Sequence, residues 1–227
     1  CPAMHTEMWE HPAVQDNIAE LVRRGVHVVP PESGRLAGGD VGTGRLASPD
    51  TIVAAVESLF RPNDLVGTHV LVTAGGTREA LDPVRFIGNR SSGKQGTAIA
   101  VEAAARGAKV TLVSTVPAAV PPGVDVVRVE SAAEMQAAVE ARYDDADIVV
   151  MAAAVADFRP VRAADHKIKK ENGVPEVVLE RTPDILAGLG QRKRPDQVLV
   201  GFAAETTDLR ANAAAKLARK GADLIVA

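Results

Sequence analysis

The chain has 227 residues, 46% of them hydrophobic, with a net charge of −3 and a single cysteine, Cys1. That length allows a sizeable core and more than one domain. The charge argues against nucleic acid as the main partner, and one cysteine excludes an intrachain disulfide or a cysteine-rich metal site. The longest apolar run, Ile148 to Ala156, has nine residues and is too short to span a bilayer. No signal or transit segment is visible, and the cysteine usage is what a reducing, cytoplasmic setting predicts. Aromatics make up only 3%, so Ala, Val, Ile and Leu must fill the core by close packing of helix on sheet.

The first sixty residues do not read as a self-sufficient domain. Pro12 to Arg24 has helical character and is stopped by Gly25, and Val26 to Val29 predicts a short strand. Pro30 to Pro49 is rich in glycine and proline and predicts a loop. Ile52, Val53, Val56 and Leu59 recur at helical spacing in Thr51 to Phe60. Residues 61–67, with Pro62, Asn63, Asp64 and Gly67, have the composition of a linker.

From His69 the pattern alternates strand and helix. Val70-Leu71-Val72 is a buried-strand run that breaks at Gly75-Gly76, where glycine frees the backbone for close approach to a ligand. Ser92 to Arg106 predicts a helix with Gly96, Ala100, Ala103 and Ala104 on or near one face. Lys109 to Ser114, Val126 to Val129, Ile148 to Ala152, Val198 to Gly201 and Leu224 to Val226 predict further strands. Ser131 and Glu134 have capping-box spacing for the helix that runs to Tyr143, and Asp208 to Lys220 predicts a helix closed by Gly221. Such apolar strands separated by helices imply an α/β fold, a doubly wound, mostly parallel sheet covered on both faces. One segment departs from this: Lys167 to Lys170 and Glu176 to Leu179 flank Asn172-Gly173, which predicts a projecting antiparallel hairpin. Such an arm serves a dimer contact or an edge whose lysines discourage aggregation, and spacing does not choose between them.

The connection after Gly75-Gly76 is far longer than the roughly 2–6 residues usual between strand and helix. It carries Thr77, Arg78, Asp82, Arg85, Asn89, Arg90, Ser91, Ser92 and Lys94. Ser92 alone reads as a helix cap. The whole array reads as an anion site, with Ser91, Ser92 and Gly93 offering a phosphate the free amides of a helix start. The glycine pair is not G-x-G-x-x-G, and the strand Lys109 to Ser114 ends without an acid for a ribose. NADP is still open, because Arg78 or Lys94 can meet a 2′-phosphate. A Walker A loop and a catalytic histidine set are both absent. Ala153-Ala154-Val155-Ala156-Asp157 ends a strand where doubly wound folds bind ligands. Asp157 there suits Mg²⁺, a sugar hydroxyl or a turn. Thr182-Pro183-Asp184-Ile185 predicts a helix start with proline at its first position, and Gly201 to Thr206 is a further strand end. Lys216 and Lys220 lie four apart on one helix face and read first as charges complementing the helix dipole.

The motifs GGTREALDPVRFIGNRSSGKQG, AAAVADFRP, KIKK, TPDIL and GFAAET occur in that order between His69 and Ala227. Together they closely resemble the phosphopantothenate–cysteine ligase family, one half of a bifunctional bacterial enzyme of coenzyme A biosynthesis. The resemblance implies a Rossmann-like ligase domain over 68–227. It also implies a reaction in which 4′-phosphopantothenate attacks CTP, with Mg²⁺, to give an acyl-cytidylate that L-cysteine then converts to the amide. It implies Asn89 and Lys167 as catalytic groups, and Arg85, Gly75, Ala153 and Ala154 on the substrate. The nucleotide would lie against Met151, Ala152, Ala153, Asp157, Lys167, Pro183, Asp184, Ile185, Leu186, Phe202, Lys216 and Lys220. A homodimer through the hairpin arm is implied, with a larger oligomer in the full-length enzyme, and no nucleic-acid or membrane partner. Residues 1–60 resemble the end of the family's FMN-dependent decarboxylase half, through Pro2-Ala3-Met4-His5-Thr6-Glu7-Met8-Trp9 and the flap Ser33 to Leu46. Here Gly38 stands where that half has its proton-donating cysteine, and His5 where it has asparagine. The FMN-binding beginning is also absent, so no decarboxylase activity is expected. The stop at Ala227 in mid-strand marks the chain as a fragment on this reading. Two other expectations compete: an NADP-linked reductase, and a non-catalytic nucleotide-binding dimer module.

Overall fold

The structure is a computed structural model that describes residues 1–169, 171, 175–204 and 208–227. The chain forms two compact units, Cys1–Pro62 and Asn63–Ala227.

In the first unit, α1 (Thr6–Trp9) and α2 (Pro12–Arg23) are followed by β1 (Glu32–Arg35), β2 (Val41–Arg45) and α3 (Pro49–Phe60). The expected helices are present, and the Ser48 hydroxyl caps α3 by accepting from the Thr51 amide at 3.2 Å. Val26–Val29 forms no strand. The stretch expected to be a loop contains the antiparallel β1–β2 hairpin instead. Glycine there marks close packing: a Cβ on Gly44 would lie 2.1 Å from the Met4 carbonyl, and one on Gly42 2.2 Å from Thr6 Oγ1. No helix of this unit buries a residue fully.

The second unit is the doubly wound α/β domain that the alternation implied. Its elements are β3 (His69–Ala74), β4 (Arg78–Ala80), β5 (Phe86–Gly88), α4 (Lys94–Ala105), β6 (Lys109–Ser114), β7 (Asp125–Arg128) and α5 (Ala132–Tyr143). Then come β8 (Ile148–Met151), β9 (Phe158–Pro160), β10 (Leu179–Arg181), α6 (Ile185–Gln191), β11 (Val198–Phe202), α7 (Leu209–Lys220) and β12 (Leu224–Val226). Six strands form one sheet in the order β12-β11-β8-β3-β6-β7, with every pair parallel. Counted along the chain this is 6-5-4-1-2-3, the doubly wound order whose direction reverses between β3 and β8.

Alternate residues of β3 face opposite sides, as pleating requires. Leu71 packs with Val113, Met135, Val139, Tyr143 and Leu199 beneath α5 and α6. Val70 and Val72 pack with Ala100, Ala103, Val110 and Leu112 beneath α4. Residues 63–67 of the expected linker belong to this unit, with the Leu65 amide donating to the Arg106 carbonyl at 3.1 Å and Asp64 pairing with Arg106 at 2.6 Å.

Four local expectations change. The excursion after β3 is a hairpin, β4 with β5, and Arg78 lies over the Phe86 ring at 5.0 Å. Ser92 caps nothing: α4 starts after Gly93, which is left-handed at φ 72°, without a side-chain cap. Pro183 precedes the first helical position, because Asp184 is the cap of α6 and accepts from the Ala187 amide at 3.1 Å. The projecting hairpin pairs β9 with β10 rather than Lys167–Lys170 with Glu176–Leu179. Lys167 and Lys169 lie outside any strand, while Lys170 and the Asn172-Gly173 turn lie outside the described residues.

The small face of α4 sits on the tip of β3. A Cβ on Gly96 would lie 2.5 Å from the Thr73 carbonyl and 2.8 Å from Ala74 Cβ. Alanine gains about 1 kcal/mol of helix propensity over glycine, but both obstacles are strand atoms that cannot swing aside. Gly96→Ala is therefore expected to destabilise the protein by about 1–3 kcal/mol, read as a lower midpoint in urea unfolding.

Candidate functional site

Two connections leave the sheet at the reversal point, one after β3 and one after β8, and they are bonded to each other over their whole start. The Ala154 amide donates to the Gly75 carbonyl at 2.8 Å, and the Thr77 amide to the Ala154 carbonyl at 3.3 Å. Two buried hydroxyls reinforce them. Thr73 Oγ1 accepts from the Ala153 amide at 3.1 Å, and Thr77 Oγ1 from the Ala156 amide at 2.8 Å. Further out, Asn89 Nδ2 donates to the Val155 carbonyl at 3.0 Å.

This pairing corrects the reading of the glycines. Gly75 and Gly76 are buried, and the close approach they permit is to the protein itself. A Cβ on Gly75 (φ 89°) would lie 2.1 Å from Thr115 Oγ1, and one on Gly76 2.4 Å from the Asn89 carbonyl. Among the described residues, Thr115 Oγ1 is the buried side-chain atom that has no hydrogen-bond partner.

Above the reversal point lies a cleft of about 810 Å³. It is lined by Asn89 and Ser91 from the excursion and by Met151, Ala152, Ala153, Ala154 and Asp157 from the β8 end. Pro183, Asp184, Ile185 and Leu186 line it from the α6 start, as do Phe202, Lys216 and Lys220. These sequence-predicted residues are thus brought together from across the domain. Gln95, Phe158 and Arg181 also line the cleft and were missed. Gln95 and Phe158 stand inside the motifs without having been singled out, and Arg181 directly precedes Thr182-Pro183. Gly75, Ser92 and Gly93 lie outside the lining, and so do Arg85 and Lys167.

The two lysines of α7 are more than dipole complements. Lys216 Nζ donates to the Phe202 carbonyl at 2.7 Å, and Lys220 pairs with the Asp184 carboxylate. Burial pushes the Asp184 carboxyl up, but the Lys220 ammonium and the Ala187 amide outweigh it and hold the carboxyl below its ordinary range. Asp157 is exposed at the rim, and its backbone carbonyl accepts from the Thr182 amide at 3.0 Å. No group of three metal-ligating side chains exists among the described residues. A lone carboxylate on a rim fits Mg²⁺ carried in on phosphates, since that ion keeps water and substrate oxygens in its shell.

Arg85 and Lys167 form a second centre. Asp82, whose side chain is fully buried, accepts from the Val84 and Arg85 amides at 2.8 Å each, from Arg85 Nε at 2.9 Å and from the Ile168 amide at 3.1 Å. Burial pushes its carboxyl up, and these bonds together overcome that and hold it far below the usual carboxylate range. Lys167 lines a separate hollow of about 670 Å³ with Leu81, Val161, His166 and Val178. In the first unit, the His5 ring fills the space above Gly38, where a Cβ would lie 2.7 Å from Cε1.

A doubly wound sheet with a polar cleft at its reversal point defines a Rossmann-like ligand-binding domain. Residues 65–227 match the family model for the DNA/pantothenate metabolism flavoprotein C-terminal domain, and the chain belongs to that family. Residues 1–61 match a flavoprotein family model. The coenzyme A biosynthesis bifunctional protein CoaBC of Mycobacterium tuberculosis is 52% identical over 99% of this chain and 58% of its own length. That of Bacillus subtilis is 49% identical over 100% and 57%. The chain thus spans less than three fifths of the length of these curated relatives. A crystal structure of the C-terminal domain of CoaBC superposes with a TM-score of 0.63 at 48% identity, covering 72% of this chain and 78% of that one. No described helix is long and apolar enough to cross a membrane.

Two measurements check this geometry. Thr77→Val keeps the side-chain shape but leaves the buried Ala156 amide without its acceptor, at an expected cost of about 1–3 kcal/mol, read by urea unfolding. Because the Asp82 carboxyl is depressed in the folded state, its contribution is complete above the unfolded value of about 4 and is lost as pH falls below it. The melting temperature of Asp82→Asn should therefore depend less steeply on pH below about 4 than that of the parent.

Proposed function

We propose that this chain carries the ligase chemistry joining 4′-phosphopantothenate to L-cysteine at the expense of CTP. What supports the reading most is the placement of Asn89. The excursion from β3 brings its carboxamide to the same cleft as the β8 alanines, Phe202 and the α7 lysines. The similarity to CoaBC proteins over nearly the whole chain points the same way.

In the first step a carboxylate oxygen of phosphopantothenate attacks the α-phosphorus of CTP, and pyrophosphate leaves. Both reactants are anions, so the step needs positive charge along the triphosphate. Lys216 and Lys220 supply it from one wall of the cleft, and the amides at the α6 start add partial charge beside Pro183 to Leu186. The small Ala152, Ala153 and Ala154 leave room for a planar base or an acyl chain against the backbone, with Met151 and Phe202 bounding it. Mg²⁺, when bound, would neutralise the pyrophosphate being displaced, and Asp157 is the residue assigned to hold it.

In the second step the cysteine amine attacks the acyl carbon and CMP leaves, with the amine proton passing to solvent. Asn89 spends one N–H on Val155 and has a second for the oxyanion that forms on the acyl carbonyl. Ser91, next to it in the cleft, and the amides of Ser92 and Gly93 are assigned to the phosphate of phosphopantothenate, with Gly75 supporting them from below. Arg85 and Lys167 complete the charge. Since neither lines the cleft of its own chain, they are assigned to the cleft of a second copy in a homodimer. Residues 1–61 belong, on this reading, to an FMN-dependent half.

Asn89→Ala is expected to release pyrophosphate and accumulate acyl-cytidylate, seen by quenching a reaction with labelled CTP. Amide formation at the parental rate would remove Asn89 from the second step. Lys167→Ala is expected to slow pyrophosphate release by about 10²-fold or more, and a normal rate would confine that lysine to a structural role. A rise in melting temperature with NADPH but not with CTP would favour a reductase.

A further inference from the structure

Arg85 and Lys167 are far apart in sequence and stand outside the cleft, yet one carboxylate serves both their segments. The two oxygens of Asp82 have different tasks. Oδ1 accepts from the Val84 and Arg85 amides, which makes a local turn of the kind Asp, Asn or Ser all form. Oδ2 accepts from Arg85 Nε at 2.9 Å and Nη2 at 2.7 Å, and from the Ile168 amide at 3.1 Å. The turn explains Oδ1 and needs no charge. Only the Oδ2 contacts require a carboxylate, and they reach across 86 positions of chain.

We propose that Asp82 is a positioning residue for the ligase reaction, fixing the Arg85 guanidinium and the backbone beside Lys167 in one geometry so that both cations reach substrate as a unit. The proposal rests on the functional reading above. Two further bonds close the same unit: Arg85 Nη2 donates to the Ile168 carbonyl at 2.5 Å, and the Ala164 amide to the Leu81 carbonyl at 2.9 Å. The Asp82 side chain is fully buried while Arg85 stays 46% exposed. The buried partner therefore anchors and the exposed one presents. The contacts use Nε and Nη2 of the guanidinium and leave Nη1 for an anion.

The test uses Asp82→Asn in the full-length protein. The carboxamide oxygen keeps the turn, and its NH₂ group opposes the donors that Oδ2 received. Asp64→Asn, which breaks the pair with Arg106, is the control for simple loss of stability. Expected for Asp82→Asn are a KM for phosphopantothenate raised about tenfold or more, slower pyrophosphate release at saturation, and faster amide exchange at 164–168 with Val84 unchanged. Asp64→Asn should lower the melting temperature and leave all three readouts at parental values. Should Asp82→Asn not fold, Asp82→Ser keeps a turn-forming hydroxyl and carries the same expectations. Failure of both to fold would make Asp82 structural and overturn the proposal. Parental KM and rate, or parental exchange at 164–168, would also overturn it. If the parent itself releases no pyrophosphate from CTP and phosphopantothenate, the ligase reading fails, and the exchange result alone decides whether Asp82 couples the two segments.

Discussion

The structure depends on the seam between the connections leaving β3 and β8. Parallel strands in this order diverge at their ends, and the two loops there would ordinarily part. In this protein they are held by backbone bonds between Gly75, Thr77 and Ala154 and by the hydroxyls of Thr73 and Thr77. Both threonines are fully buried. In such a setting an unmade bond costs more than a made one contributes, so the seam tends to be either whole or open. Its closure gives the cleft a floor fastened by bonds buried from solvent.

The walls differ from the floor in kind. They are built from charges whose partners lie on other elements: Lys220 on Asp184 and Lys216 on the Phe202 carbonyl. Both cations are thereby held in place by the protein's own groups, and orientation beforehand is what makes a polar site effective. The excursion between β3 and α4 is anchored at a further point. Glu79, itself buried, accepts from the Ala132 amide at 2.9 Å, so its carboxylate meets the positive end of α5.

Much of this was legible in the sequence because the strands are short, apolar and punctuated by glycine. Apart from Val26–Val29 and the two arms of the projecting hairpin, the predicted strands were found within a residue or two, and the small face of α4 was readable from Gly96, Ala100 and Ala103. The errors share a cause. Gly42 and Gly44 suggested looseness and Gly75 suggested a ligand, whereas each glycine yields room to another part of the protein. Local composition records that a side chain is absent but not what fills its place. The hairpin of β4 and β5 was hidden because its stabilising contacts, from Glu79 to Ala132 and from the Arg78 amide to the Glu130 carbonyl, come from distant chain. Lys167 and Arg85 were picked out by motif, and Asp82 stands in the same run as Arg85, but nothing local shows that its carboxylate reaches the Ile168 amide beside Lys167.

The central strand pair also has a consequence in time. β3 is among the first parts of its domain to be synthesised, yet one of its two neighbours is β8, and the His69 amide finds its acceptor on Asp147, 78 residues later. Until the ribosome has delivered that segment, β3 can pair only with β6, leaving its other edge open to unwanted association. Assembly of this domain is thus a matter of waiting, and a chaperone or the rate of translation has most influence during that interval.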